Sequence, residues 1–528
     1  MLARCGWVLP GALLLCVLAA PGRGQQSAPP PLPDGVEVQA RGPVHEAFAG
    51  PTSEAVAMPA IPVKPPAAIE EMPPADKPDG NAMWISGYWS YDEERKDHIW
   101  VSGTWRVPPP GKQWVAGYWR EQGTDWQYVP GFWAASSKKD DQPVTYLPEP
   151  PATPKMAAPV KPPSEDLFYI PGSWVWNGTG YAWRNPRWAR IQPGYVWVPD
   201  HFSWTPAGYV FVDGYWDLPL KSRGLLYAPV VIRPGVVTVG FVYTPAYAVR
   251  DTVVVDAMFI RPSNRCYYFG DYYGPTYTSY GYQSCVVYSA SNYDGIIVYE
   301  RYERRRDPTW ITFQVNLYND RCSGRSVCPP RTLVAQQNFV NNTTVNNTTI
   351  VNNTTVNNIT MIAPPAQVAA AKSTTLVKID AATQQQARVQ AATVQQVAQQ
   401  RVATERPLPP GSPRQARVAS LSVPQAQAVK PGMVAPRPSA LATAAPAMRP
   451  APTTPAASVS RPVANTTTPR PGGIQPASAT GVRPGTTTPA ATGVKPAMTA
   501  TPTAVRPAVV PPKRPPPPKH QPEKKDKP

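Results

Sequence analysis

One phrase recurs along this chain with fixed internal spacing: an aromatic residue, two residues, Gly, one residue, Trp. It reads WISGYW at 84–89, WVSGTW at 100–105, WVAGYW at 114–119, YVPGFW at 128–133, YIPGSW at 169–174 and FVDGYW at 211–216. The first four copies start 16, 14 and 14 residues apart. Between the last two, WRNPRWARIQPGYVWVPDHFSW (183–204) reads as degenerate copies. On a helix, five residues turn about 500°, leaving the paired aromatics about 140° apart. The central Gly would also cost about 1 kcal/mol. On a strand, the odd offset puts Trp100 and Trp105 on opposite faces, while Gly103 shares the face of Trp105. A Gly there bares a patch of backbone that a neighbouring strand's indole can cover. The unit is then one short strand with an aromatic on each side, and connections such as RVPPPGKQ return the chain antiparallel.

The site residues follow from that pattern. The repeat aromatics are Trp84, Trp89, Trp100, Trp105, Trp114, Trp119, Tyr128, Trp133, Tyr169, Trp174, Phe211 and Trp216. The repeat glycines are Gly87, Gly103, Gly117, Gly131, Gly172 and Gly214. Their first role is packing, since buried indoles supply much apolar area in a domain poor in Leu and Ile. Their second is stacking on sugar rings, should one face stay open.

The phrase resembles the WXXGXW (YXWGXW) repeat of exported bacterial proteins, a group with planctomycete-type members carrying similar Pro-rich flanks. The resemblance spans about 84–216, with Tyr or Phe at the first position of three copies. It implies a repeat-built β domain and brings no catalytic residues.

The rest of the chain is expected to fall into segments around this block. Residues 1–24 read as a secretory signal: Arg4, an apolar run to about Ala20, then small residues, with cleavage after Gly24 or alternatively Ala19. Leu15 before Cys16 argues against a lipoprotein anchor. Residues 25–80 read as a Pro/Ala-rich linker, and 81–220 as the Trp-repeat domain with a Pro-rich break at 141–165. Residues 225–332, rich in Tyr and Val, read as a β domain. Residues 340–362 repeat VNNTT, either as a β-solenoid or stalk capable of self-association or as a polar linker. Residues 366–406, free of Pro and Gly, read as one long helix capped near Ser373. Residues 407–528 read as a disordered basic tail. The fold class expected is therefore mainly all-β: stacked antiparallel hairpins plus a Tyr/Val-rich β domain, long disordered flanks and one helix.

Export leaves Cys266, Cys285, Cys322 and Cys328, an even number that reads as two disulfides in an oxidising compartment. The local pairs 266–285 and 322–328 are favoured. The spacings lack the C-x2-C form of a metal site, and no cofactor is implied.

Charge is uneven. Residues 401–528 hold 18 Lys/Arg and 3 Asp/Glu, or +15 of the chain's formal +17. The folded part is thus near neutral, which weighs against specific nucleic-acid binding. Arg-Pro and Lys-Pro pairs recur at Arg437, Arg449, Arg461, Arg470, Arg483, Lys495 and Arg506. They suit an anionic envelope polymer or surface, or serve as a solubilising spacer. No nucleophile-elbow, zinc-protease, P-loop or dinucleotide phrase occurs. His98 and His201 lie in or beside the repeats, and Asp213 and Asp217 flank Trp216 as a weak glycosidase pairing. The expected function is a non-enzymatic scaffold or adhesion protein of the cell envelope, periplasmic, surface-bound or secreted. A carbohydrate-binding module stacking sugars on Trp and Tyr is the alternative.

Overall fold

In the computed structural model each aromatic phrase is two strands, broken at the glycine and the residue before it. Met83–Ile85 and Tyr88–Asp92 flank Ser86–Gly87, and Asp97–Val101 and Thr104–Arg106 flank Ser102–Gly103. This corrects the expected single strand per copy. The structure describes residues 31–52, 54–136, 141–154, 162–345, 359–407, 409 and 415–423, all within one compact unit, Met1–Pro438.

The half-strands pair antiparallel, so that two copies face each other with aromatic opposite aromatic. In the first pair Trp84 sits opposite Trp105 and Trp89 opposite Trp100. In the second, Trp114 faces Trp133 and Trp119 faces Tyr128. The degenerate copies complete two more pairs. WRNPRW (183–188) sets Trp183 against Trp174 and Trp188 against Tyr169. WVPDHF (197–202) sets Trp197 against Trp216 and Phe202 against Phe211. The described chain is mainly β, in antiparallel hairpins. Only one strand pair is parallel among the described residues, Glu70–Glu71 with Val242–Tyr243.

The strands around the repeats redraw the expected boundaries. The segment 25–80 is no simple linker over its described part. Val36–Val38 pairs with Val230–Ile232, Gly42–Pro43 with Phe269–Tyr268, and Asp76–Pro78 with Leu376–Lys378. Val38, Ala40, Val44 and Phe48 enter the main core. Pro-rich chain can do this because extended backbone still offers carbonyls and apolar side chains to a neighbour. Nor does the fold break at 220–225. Gly224–Leu226 extends the sheet of Thr104–Arg106, and Val230 pairs with Trp100. The expected Pro-rich break is strand at Asp141–Leu147, paired with Arg417–Ser422 of the expected tail and with Gly208–Val212. Residues 424–528 of that tail lie outside the described residues, as does the 1–24 segment.

The Tyr/Val-rich region is β only in its first part. Met258–Arg261 and Cys266–Phe269 form a hairpin, but the runs read as strands further on are helices Gly295–Glu303 and Trp310–Cys322. Short apolar runs do not separate buried strand from buried helix. Here the Asp294 carboxylate decides, accepting from the Ile297 N–H at 3.0 Å as an N-cap. VNNTT begins inside a further helix, Leu333–Val345, and its residues 346–358 lie outside the described ones. The single helix expected over 366–406 is two, Pro365–Ala371 and Ala381–Thr404, separated by Leu376–Lys378. Ser373 has a left-handed φ of 55°, and Asp380 caps the second helix through the Thr383 N–H at 2.8 Å. Ala387 and Ala391 of that helix pack with Trp84 and Trp105, and Val394 and Ala398 with Trp114 and Trp133.

Neither expected disulfide is formed: Cys266, Cys285, Cys322 and Cys328 are free thiols. Cys285 opens a short helix, Cys285–Tyr288, inside the core, while the Cys266 thiol points to the Val44 carbonyl. Burial pushes both thiols well above their ordinary range.

Candidate functional site

Breaking a strand frees backbone groups that must find other partners. In the first pair the glycine N–H groups converge on one buried carboxylate. Glu71 accepts from the Gly87 N–H at 2.8 Å, from the Gly103 N–H at 3.1 Å and from Trp100 Nε1–H at 2.7 Å. In the second pair Glu46 has the same place, accepting from the Gly131 N–H at 3.0 Å and the Tyr128 hydroxyl at 2.8 Å. In the fourth pair Asp200 accepts from the Gly214 N–H at 2.7 Å. It also takes the Ser173 hydroxyl of the third pair at 3.0 Å and pairs with Arg184.

Glycine is required here by close approach. A methyl group on Gly103 would lie 2.5 Å from Trp84 Cζ2 and 2.6 Å from Glu71 Oε2. On Gly131 it would lie 2.3 Å from Trp114 Cζ2, and on Gly214 2.5 Å from Trp197 Cζ2. The facing indole lies over each glycine and the carboxylate lies against it. Paired ring centroids are 5.4 Å apart for Trp84–Trp105, 5.2 Å for Trp114–Trp133 and 5.1 Å for Trp197–Trp216, tilted or edge-on.

The carbonyls before the glycines need donors in turn. Arg401, from the long helix, donates to Ala116 O at 2.7 Å and Pro130 O at 3.1 Å, bridging both breaks of the second pair. Its charge is matched by Glu405, itself bound by the Tyr118 and Tyr146 hydroxyls. In the first pair His45 Nε2 donates to Ser86 O at 3.1 Å, with Nδ1 accepting from the Ala47 N–H. Burial lowers the His45 pKa to about 4, so the ring is neutral in that tautomer. Burial likewise pushes Glu71 up to about 7, against the three donors that hold it down. Glu46 is raised for the same reason.

The two halves of the repeat block differ in exposure. Trp84, Trp89, Trp100, Trp105, Trp114, Tyr128 and Trp133 are all buried, and Trp119 is half-buried. Tyr169, Trp174, Phe211 and Trp216 are only half-buried, as are their partners Trp183, Trp188 and Trp197. The third pair thus forms a half-open aromatic ladder, with Trp176 and Tyr181 continuing it.

The other sequence candidates are placed apart from any such surface. His98 is buried among the Trp89, Tyr91 and Trp119 rings. Asp217 is locked between Arg106, at 2.6 Å, and Arg223, at 3.0 Å, while Asp213 is exposed. Glu46, Glu71, Arg401 and Glu405 were not anticipated. One signal existed: HEAF and IEEM set carboxylates in apolar neighbours within a Pro/Ala-rich stretch. Asp200 stands where WVPDHF would carry the repeat glycine.

Residues 83–106, 114–134, 168–189 and 193–216 match the family described as WXXGXW repeat (2 copies). Each match spans one facing pair, so the two-copy unit of the family is the paired unit of the structure. No curated protein and no solved structure matches the chain. Between residues 83 and 216 the chain thus carries four two-copy units of the WXXGXW repeat.

Proposed function

We propose that the protein is an exported, non-enzymatic structural component of the cell envelope. A rigid aromatic-stapled body would carry a basic C-terminal sequence that contacts anionic envelope polymers. The observation that carries this reading is the closed aromatic lattice of the first two pairs. Trp84, Trp100 and Trp105 are at most 2 % exposed, so these rings serve packing rather than ligand contact. The charge distribution supports the rest, since residues 401–528 contribute +15 of the net +17.

A second reading, carbohydrate binding, is favoured by the half-open ladder of Trp174, Trp176, Tyr181 and Trp183. Partly exposed aromatic rings in a row suit pyranose stacking.

Co-sedimentation of the full chain with cell-wall and polysaccharide matrices across a salt series separates them. Two variants are needed: one with the seven tail cations at 437, 449, 461, 470, 483, 495 and 506 changed to Gln, and Trp183→Ala. Binding that falls with salt and with tail neutralisation supports the scaffold. Salt-resistant binding lost only in Trp183→Ala supports the sugar reading. Equal retention by all three chains sinks both.

A further inference from the structure

A cavity of about 80 Å³ lies among the second repeat pair, the fourth repeat pair and the turn of the Met258–Phe269 hairpin. Its aromatic walls include Trp133, Trp197 and Tyr215. Arg265 also lines it, from a left-handed position with φ 48° at the end of the Pro262–Asn264 turn. That conformation is unfavourable for a residue with a Cβ and tends to persist where the surroundings hold it.

The polar groups around this cavity do not balance. Arg265 Nε and Nη1 are buried without a hydrogen-bond partner. Ser203 Oγ and Trp197 Nε1, on two further lining residues, are in the same condition. The acids nearby are already engaged. Asp217 faces Arg106 and Arg223, and Glu46 holds the second glycine break. His201 binds Pro199 O through Nδ1 at 2.9 Å, and burial with the neighbouring Arg265 charge lowers its pKa to about 4, leaving it neutral. Glu46 attracts the Arg265 charge without bonding Nε or Nη1, so the guanidinium keeps unused donors beside those of Ser203 and Trp197. A buried charge without a partner is costly, and a bound counter-ion removes that cost.

We propose that this cavity binds a small oxyanion, a carboxylate or a tetrahedral anion, through the Arg265 guanidinium with Ser203 Oγ and Trp197 Nε1 as further donors. The volume suits an acetate- or sulfate-sized group, either free or at the end of a larger molecule. The aromatic walls favour a group carried on an apolar or sugar body. The charge-assisted bonds to Arg265 supply most of the affinity.

The test is titration of the full chain with acetate, glucuronate, an oligo-uronide, phosphate and sulfate at constant ionic strength. Binding is followed by tryptophan fluorescence and by thermal melting. The seven tail cations are changed to Gln in every arm, so that the basic tail does not report. Saturable binding is expected, weakened about tenfold or more in Arg265→Gln and several-fold in Ser203→Ala. Arg265→Gln should melt no lower than its parent in chloride, because it removes an unpaired charge. A preference for glucuronate over acetate identifies a sugar acid, and a preference for the oligo-uronide identifies a polymer end. A parent chain that binds none of the five overturns the proposal. So does binding unchanged in both variants, or an Arg265→Gln chain that melts lower in chloride with no anion response in its parent. That last result would make Arg265 the internal partner of Glu46.

Discussion

The first two repeat pairs and the last two share one ring-pairing geometry and differ in nearly everything around it. Ring centroids stand 5.4 Å apart in Trp84–Trp105 and 5.2 Å apart in Trp174–Trp183, yet the former pair is closed off and the latter half-open. What differs is the covering. Pairs one and two are clasped by the 36–80 segment, which supplies Glu46 and Glu71, and by the Ala381–Thr404 helix, which supplies Arg401. Pair four brings its own carboxylate, Asp200, and pair three carries Arg184, Arg187 and Arg190 on its strands. Indole against glycine is thus a local rule of the repeat, whereas burial is supplied from elsewhere in the chain.

Deleting a ring should separate the halves most. Trp105 is fully buried, so Trp105→Ala is expected to cost about 3–5 kcal/mol in urea unfolding. Trp188→Ala in the open ladder should cost less, about 2 kcal/mol, because its ring is only partly buried. Equal losses would mean that the ladder is as tightly packed as the lattice. The cations come next. Arg401→Gln strands Glu405 and two carbonyls in the interior and should cost about 3–4 kcal/mol. Arg184→Gln removes an ion pair that is 41 % exposed on the arginine side, and solvent screening keeps its effect below about 1 kcal/mol. Glycine follows. Gly103→Ala meets Trp84, Glu71 and the Ile85 carbonyl at once and should cost about 3 kcal/mol. Gly172→Ala meets mainly the half-buried Trp183, which can shift, and about 1 kcal/mol is expected.

This ordering also marks what could be read from the residues alone. The offset of five placed Trp100 and Trp105 on opposite faces, and they do enter separate core clusters. The offset of two between Gly103 and Trp105 placed a neighbouring indole over the glycine, and Trp84 is there. Both were drawn from one unbroken strand, whereas the break at Ser102–Gly103 puts Trp100 and Trp105 on separate half-strands that nonetheless keep these two outcomes. What lay beyond reach is non-local. Which of Glu70 and Glu71 turns inward is settled by parallel pairing with Val242–Tyr243. Arg401 meets Ala116 across 285 residues, and no local pattern in the Ala/Gln-rich helix announces it. The strand break itself was missed for the same reason: a freed N–H is tolerable only if a carboxylate arrives, and the carboxylate comes from another segment.

The clamp can be tested through its titration, which sharpens the contrast between the buried lattice and the open ladder. Burial holds Glu71 at about 7 in the fold, above its ordinary 4.5. Between those values the folded protein binds more protons at this site than the unfolded chain, so this group's contribution to stability falls as pH rises. It is fully present below pH 4.5 and lost through pH 7. A Glu71→Gln variant has no titration here, although its amide nitrogen faces donors and should cost about 2 kcal/mol at low pH. The parent's advantage over Glu71→Gln should therefore be largest near pH 4 and shrink by about 1–3 kcal/mol toward pH 8. Urea unfolding of both chains across that range measures the difference directly, with the other buried acids cancelling between them. A constant gap would show that the three donors just offset burial and leave Glu71 at its ordinary value, and a gap that grew with pH would show that they outweigh it and keep the carboxylate ionised. The clamp would then be an ionic feature of the lattice, as tightly matched as Arg401 with Glu405.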